Sequence, residues 1–226
     1  MSIRSIHVEF TGTMPILMHA DNIEWADKME EWKNDPANKG KSKPGDDRTP
    51  PSRWMGCLNY DHPKTGIVTI PSEYIMRCMM GGAAEVPTGK GQKTFKSQSQ
   101  SGILSVQFQW PLLVHGKPIR MADILAMSDM TFREQMEAVE SLGFSLFVKR
   151  AAIGGKKHIR VRPRFDHWST TGELTVIDDA ITDKVLGSIL DISGRLKGMG
   201  DWRPSAKTPG PFGTFSVKVS ANGKAR

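Results

Sequence analysis

The stretch Gly172–Val219, GELTVIDDAITDKVLGSILDISGRLKGMGDWRPSAKTPGPFGTFSVKV, decides the fold. Leu174 and Val176 alternate with Glu173 and Thr175, the period of a half-buried strand at 172–177. Val185, Ile189, Ile192 and Leu196 then recur at i, i+4, i+7 and i+11, with Leu186 and Leu190 beside them. That spacing predicts an amphipathic helix over 182–197, stopped by Gly198 and Gly200. A long loop, Gly198–Gly213, leads to a last strand with Phe215, Val217 and Val219 on one face. Strand, helix, loop and strand in this order make half of a ferredoxin-like (RRM-type) unit.

The other half lies upstream. Ile6, Val8 and Phe10 alternate with His7, Glu9 and Thr11 in a strand at 3–11. Ser72 is placed to cap a helix carrying Tyr74, Ile75, Met79 and Met80 and ending at Gly81-Gly82. Leu104, Val106, Phe108 and Trp110 alternate as a further strand. The expected class is α+β: a modified ferredoxin-like/RRM core with an antiparallel sheet, packed helices and two long loop insertions, in a single domain over 1–226. Asp21 or Asn22 caps a helix over 23–33, in which Trp25 and Trp32, seven apart, share a face. Residues 121–127 and 131–141 are further helix candidates, and 144–152 reads as a strand. The insertions are 34–66 and 86–101. Residues 34–53 are rich in Lys, Gly, Pro and Asp without apolar period, the mark of a mobile surface excursion. Residues 86–101 carry Lys90, Lys93 and Lys96 and no acid.

Charge gives the first functional signal. Lys+Arg 31 against Asp+Glu 24 leaves +7, with a pI near 9.5. This balance favours a polyanionic partner, nucleic acid or an anionic membrane. No apolar run approaches the length of a membrane span. The first ten residues lack a secretory core. Cys57 and Cys78 form no metal-ligand spacing, so a reduced, cytoplasmic protein is expected, with a single disulfide as the alternative. Between Lys149 and Arg164 stand seven Lys/Arg and no acid: Lys149, Arg150, Lys156, Lys157, Arg160, Arg162 and Arg164. In an extended segment His158, Arg160, Arg162 and Arg164 fall on one side, and Ile159, Val161, Pro163 and Phe165 on the other. A solvated edge strand carries such charge too, but unopposed cations spaced about 6–7 Å apart suit a phosphate backbone.

Other candidates are weaker. In the loop after the last helix, Gly198 and Gly200 let backbone approach an anion, Trp202 offers a stacking face and Arg203 a charge. Phe95 and Trp202, in Gly/Lys-rich loops, are the aromatics expected to be exposed. Gly89–Thr94 lacks the phosphate-loop spacing. His19 and Asp21 are candidate acid–base residues beside a turn, with Asp27, Asp46 and Asp47 in the following segments, but a polar turn with a helix cap at Asp21 is the better explanation for any one of them. No Ser-His-Asp order, HExxH or zinc-ribbon spacing occurs, and neither metal nor cofactor is expected.

Three segments resemble the repeat-associated mysterious protein (RAMP) superfamily, in particular the backbone subunits that polymerise along guide RNA in CRISPR effector complexes. Residues 6–19, IHVEFTGTMPILMH, are similar to the opening strand and its G-x-x-P-L-type turn. Residues 69–77, TIPSEYIMR, resemble the I-P-G-S-S-L-K-G start of a helix, with Ser72 following Pro71 directly. Gly198–Gly213 sits where the family carries its C-terminal Gly-rich loop, here with Asp-Trp-Arg-Pro inserted at 201–204. The resemblance implies an RRM-type palm in which 34–66 acts as a thumb and 86–101 as a flexible basic flap. It implies binding of single-stranded nucleic acid, RNA in preference to single-stranded DNA, and a homo-oligomer or filament along the strand. The expected contacts are Lys90, Lys93, Lys96, Lys149, Arg150, Lys156, Lys157, His158, Arg160, Arg162, Arg164, Gly198, Gly200, Trp202 and Arg203. Asp21 is the positional match to an Asp with which some relatives cleave RNA. The alternatives are such an endoribonuclease, using Asp21 and His19, and a structural oligomer that binds an acidic protein partner.

Overall fold

The computed structural model describes residues 3–221. Its strands are β1 (Arg4–Gly12), β2 (Ile16–Leu17), β3 (Thr69–Pro71), β4 (Ile103–Ser105), β5 (Gln109–Pro111), β6 (Leu113–Val114), β7 (Lys117–Pro118), β8 (Ser145–Ile153), β9 (Lys156–Phe165), β10 (Trp168–Val176) and β11 (Phe215–Ala221). Its α-helices are α1 (Ile23–Asn34), α2 (Ser72–Ala83), α3 (Lys96–Gly102), α4 (Met121–Leu125), α5 (Phe132–Ser141) and α6 (Asp183–Ile192). The protein is α+β with antiparallel sheets. Two compact units form: residues 1–16, 69–116 and 166–226 make the first, and 17–68 with 117–165 the second.

In the first unit β1 is central. It pairs antiparallel with β11 on one side and β10 on the other, and β10 pairs antiparallel with β4 and β6. The chain leaves β1, passes through α2 and returns as β4, two strands over. It leaves β10, passes through α6 and returns as β11, again two strands over. The period of two sorts the sheet: Ile6, Val8, Phe10, Leu174 and Val176 are buried with Ile75, Met79, Leu186 and Ile189 of the helices. Ser5, His7, Glu9, Thr171, Glu173 and Thr175 line the other face, half-buried. Gly172 makes room for Trp110, whose ring a Cβ there would meet at 2.5 Å. Trp110 stacks on Phe10 with centroids 5.6 Å apart.

Several expectations need correction here. Within 86–101, Thr88 N donates to Lys93 O and Phe95 N to Val86 O, a closed turn that runs into α3. Phe95, expected to be exposed, is buried by that closure. The strand over 103–110 breaks in two. Ile103 and Trp110 both point inward from positions of opposite parity, so the pleat slips between them and turns Leu104, Val106 and Phe108 outward. The helix over 182–197 closes its last five residues, Ser193–Lys197, as a wider π turn.

The second unit is built on the β8–β9 hairpin. Gly154 and Gly155, both at positive φ, supply a two-residue turn. Leu146, Val161 and Phe165 are buried with Trp54, Met55, Val139 and Phe144. The segment 34–53, expected to be a surface excursion, is mostly exposed up to residue 45 and then turns inward at Asp46 and Asp47, after which Trp54, Met55 and Leu58 enter this core. A 3-10 turn over Pro51–Cys57 buries Trp54, Met55 and Gly56. Trp54 Nε1 donates to Gln135 Oε1 at 2.7 Å, and Gln135 Nε2 donates to the carbonyls of Met127 and Met130. This satisfies a wholly buried amide. Helix α1 starts at Asn22, whose side chain does not cap the helix. Its Nδ2 instead donates to Gly56 O and Leu58 O, fastening the helix start to the 3-10 turn.

Candidate nucleic-acid interface

Residues directly opposite in an antiparallel pair share a face. In the hairpin Lys149 faces Arg160, Phe147 faces Arg162, Ser145 faces Arg164, and Ala151 faces His158. The sequence thus places Lys149, Lys156, His158, Arg160, Arg162 and Arg164 together on one face. Arg150 and Lys157 project from the opposite face and are exposed, as is Lys156 near the turn. The alternation of the arginine strand holds, but its charges are not unopposed.

Asp47 is the partner of the arginine strand that the sequence reading missed. It is 4% exposed, and it lies against the arginine strand because Asp47 N donates to Ile159 O and Ile159 N donates to Gly45 O. Its Oδ1 takes Arg160 Nη1 at 3.2 Å and Arg53 Nε at 3.5 Å. Its Oδ2 takes Arg162 Nη1 and the backbone N–H of Val161, both at 3.3 Å. Arg162 is turned inward, with only 10% of its side chain exposed, whereas Arg160 and Arg53 keep 33% and 42%. Arg162 also donates to Val161 O and reaches His19 Nε2 at 3.0 Å. A guanidinium has no acceptor, so Nε2 of His19 is the accepting atom in this contact.

These groups line an open cleft of about 250 Å³ that also includes Asp21, Lys33 and Cys57. The structure therefore brings His19 and Asp21 beside Arg160 and Arg162, four residues that the sequence reading had assigned to different roles. The neighbouring aspartate behaves differently. Asp46 is held below the usual carboxylate range chiefly by its hydrogen bonds from the Arg48 side chain. Among the described residues no group of three or more His, Cys, Asp or Glu stands close enough to hold a metal ion.

The remaining predicted contacts belong to the first unit. Lys90, Lys93 and Lys96 are exposed. The glycine loop is stapled to itself and to the β1 turn: Met199 N donates to Gly213 O, and Gly213 N to Pro15 O. A Cβ on Gly213 would lie 1.8 Å from Met199 O, so this glycine serves close backbone packing. Arg203 spends Nη1 on Gly200 O and Nε on Ser205 Oγ. Trp202, expected to be exposed, is half-buried, with its ring centroid 5.5 Å from Phe212 and Nε1 donating to Pro209 O. Gly198 N donates to Ser193 O. The loop is thus a self-bonded structural element. No helix among the described residues is long and apolar enough to cross a membrane. No protein-family model matches the chain, and no curated protein matches it.

Proposed function

We propose that this is a single-stranded nucleic-acid-binding protein with a modified ferredoxin-like core, distantly related to the RAMP backbone subunits. The strand order β11-β1-β10-β4, with α2 and α6 crossing over, supports the core assignment. The observation that supports the function is the hairpin: seven Lys/Arg on two paired strands without one acid of their own, with the Asp47 carboxylate set against Arg160 and Arg162. Arg150, Lys156 and Lys157 supply its exposed charge, and Arg160 and Arg53 extend it into the cleft. Backbone phosphates are read there by charge, so the affinity is sequence-tolerant and salt-dependent. By the family resemblance the strand is RNA and several copies follow one another along it.

The test is anisotropy of labelled single strands, RNA and DNA, across a salt series. Single-strand binding loses about 0.7 in log–log slope for each phosphate contact removed. A Lys156→Ala/Lys157→Ala variant is therefore expected to flatten the slope by about 1.4. Absence of strand binding at low salt refutes the proposal. Titration against strands of increasing length reads out polymerisation as more copies bound per strand.

One observation favours a second reading, an endoribonuclease. His19 and Asp21 line the same cleft as Arg160 and Arg162. His19 Nε2 is engaged by Arg162, so Asp21 is the better placed base. Defined cleavage products from labelled RNA, with and without Mg²⁺, that vanish in Asp21→Ala establish this reading. Intact RNA under both conditions removes it.

A further inference from the structure

The charge balance of the second-unit cleft says more than that an anion binds. Lys33, Arg53, Arg160 and Arg162 line it against two carboxylates, Asp21 and Asp47. His19 meets Arg162 through Nε2 and is left out of this count. Two positive charges are left in excess. An internal phosphodiester carries one negative charge, whereas a terminal phosphate monoester carries about 1.5 to 2 at neutral pH. The monoester therefore neutralises the cleft and the diester does not.

Geometry points the same way. Arg53 and Arg160 each touch Asp47 through a single nitrogen, Nε in one and Nη1 in the other. The rest of each planar guanidinium fork is available for a phosphate oxygen, and both side chains are partly exposed. Asp47 fixes the two forks in place before any ligand arrives, which lowers the ordering cost of binding. The volume, about 250 Å³, lies just under the roughly 300–1,000 Å³ range of drug-sized pockets. That room suits a phosphate and its sugar.

We propose that this cleft is a receptor for a phosphate monoester on a nucleoside, presented by the end of a nucleic-acid strand. This deepens the strand-binding reading and rests on it only for the source of the monoester. Along the exposed hairpin the strand is held by its diesters, and at the cleft one end is read by its extra charge.

The experiment compares short oligonucleotides of one sequence that bear a 5′-phosphate, a 3′-phosphate or hydroxyl ends, at about 0.15 M salt, together with adenosine monophosphate and adenosine. The wild-type protein is expected to bind one phosphorylated end about tenfold or more tightly than the hydroxyl form, the gain of one charge-assisted hydrogen bond. Adenosine monophosphate binds and adenosine does not. In Arg53→Ala the preference for the phosphorylated end disappears, and the hydroxyl oligonucleotide weakens by the smaller factor of one lost diester contact; in Lys156→Ala/Lys157→Ala, outside the cleft lining, both forms weaken together and the preference stays. Arg53→Lys keeps the charge, loses the fork and shows an intermediate preference. Equal affinity for phosphorylated and hydroxyl strands, with no binding of the monophosphate, overturns the site and leaves strand binding intact. Monophosphate binding without any strand binding supports the site and sinks the strand reading instead.

Discussion

Replacing Asp47 by Asn removes the carboxylate shared by Arg53, Arg160 and Arg162 and keeps the side-chain shape. The cost follows from which cations are stranded. Arg53 and Arg160 keep 42% and 33% of their side chains in water, so each loses only the 0–1 kcal/mol typical of exposed pairs. Arg162 keeps 10%, and breaking a buried pair from one side costs about 3–5 kcal/mol. Its other contacts, to Val161 O and His19, remain and favour the lower end. A loss of about 3 kcal/mol is expected, which lowers Tm by about 6–12 °C for a chain of this size. The assay is urea denaturation followed by tryptophan fluorescence, since Trp54 lies in the same unit. Arg53→Ala should cost under about 1 kcal/mol. Replacing both buried partners, as Asp47→Leu with Arg162→Met, should recover much of the loss, because the cations that still lose Asp47, Arg53 and Arg160, are partly exposed. If Asp47→Asn melts within about 0.5 kcal/mol of wild type, the carboxylate does not organise the arginines and the cleft argument fails with it.

Gly213→Ala should destabilise by more than about 1 kcal/mol, read by the same melts, because the residue sits at positive φ and a Cβ would strike Met199 O. Asp46 has its folded-state pKa depressed by Arg48, so its stabilising contribution is complete above the unfolded carboxyl value of about 3.9 and is lost as pH falls below it. Arg48→Ala should remove that part of the acid dependence in a pH series of denaturation midpoints. Burial pushes the Cys78 thiol up to about 12, so a thiol reagent should modify half-buried Cys57 first and reach Cys78 only on unfolding.

The periodic elements were legible in the sequence and the irregular ones were not. Alternation located β1, β9, β10 and β11, because a sheet with one buried face imposes a strict period of two. It failed at 103–110, where the period continues through a break and says nothing about which parity faces in. Phe95 was misread because its neighbours are glycine and lysine, while its burial is decided by the Phe95–Val86 backbone bond that closes the turn. Asp47 had no local signal at all. It joins the arginine strand through a single bridge at Ile159, too short to show a pattern, from a segment whose composition reads as disordered. The available hint was positional: the apolar pair Trp54-Met55 follows within ten residues, so the chain has to be back at the core near there.

The two adjacent aspartates separate structural from receptive charge. Asp46 meets Arg48 as a fork, Nε on Oδ1 at 2.9 Å and Nη2 on Oδ2 at 2.7 Å, and each side saturates the other. Asp47 does the opposite, spreading one carboxylate over three guanidiniums at 3.2–3.5 Å and a backbone N–H. Arg53 and Arg160 each meet it through one nitrogen and stay partly exposed, and Lys149 lies directly opposite Arg160 on the same face. A fold selected for stability alone gains by pairing these cations fully or replacing them with apolar residues. The arrangement is coherent if a second anion completes it, with Asp47 setting the positions of the arginines and the ligand supplying the missing charge.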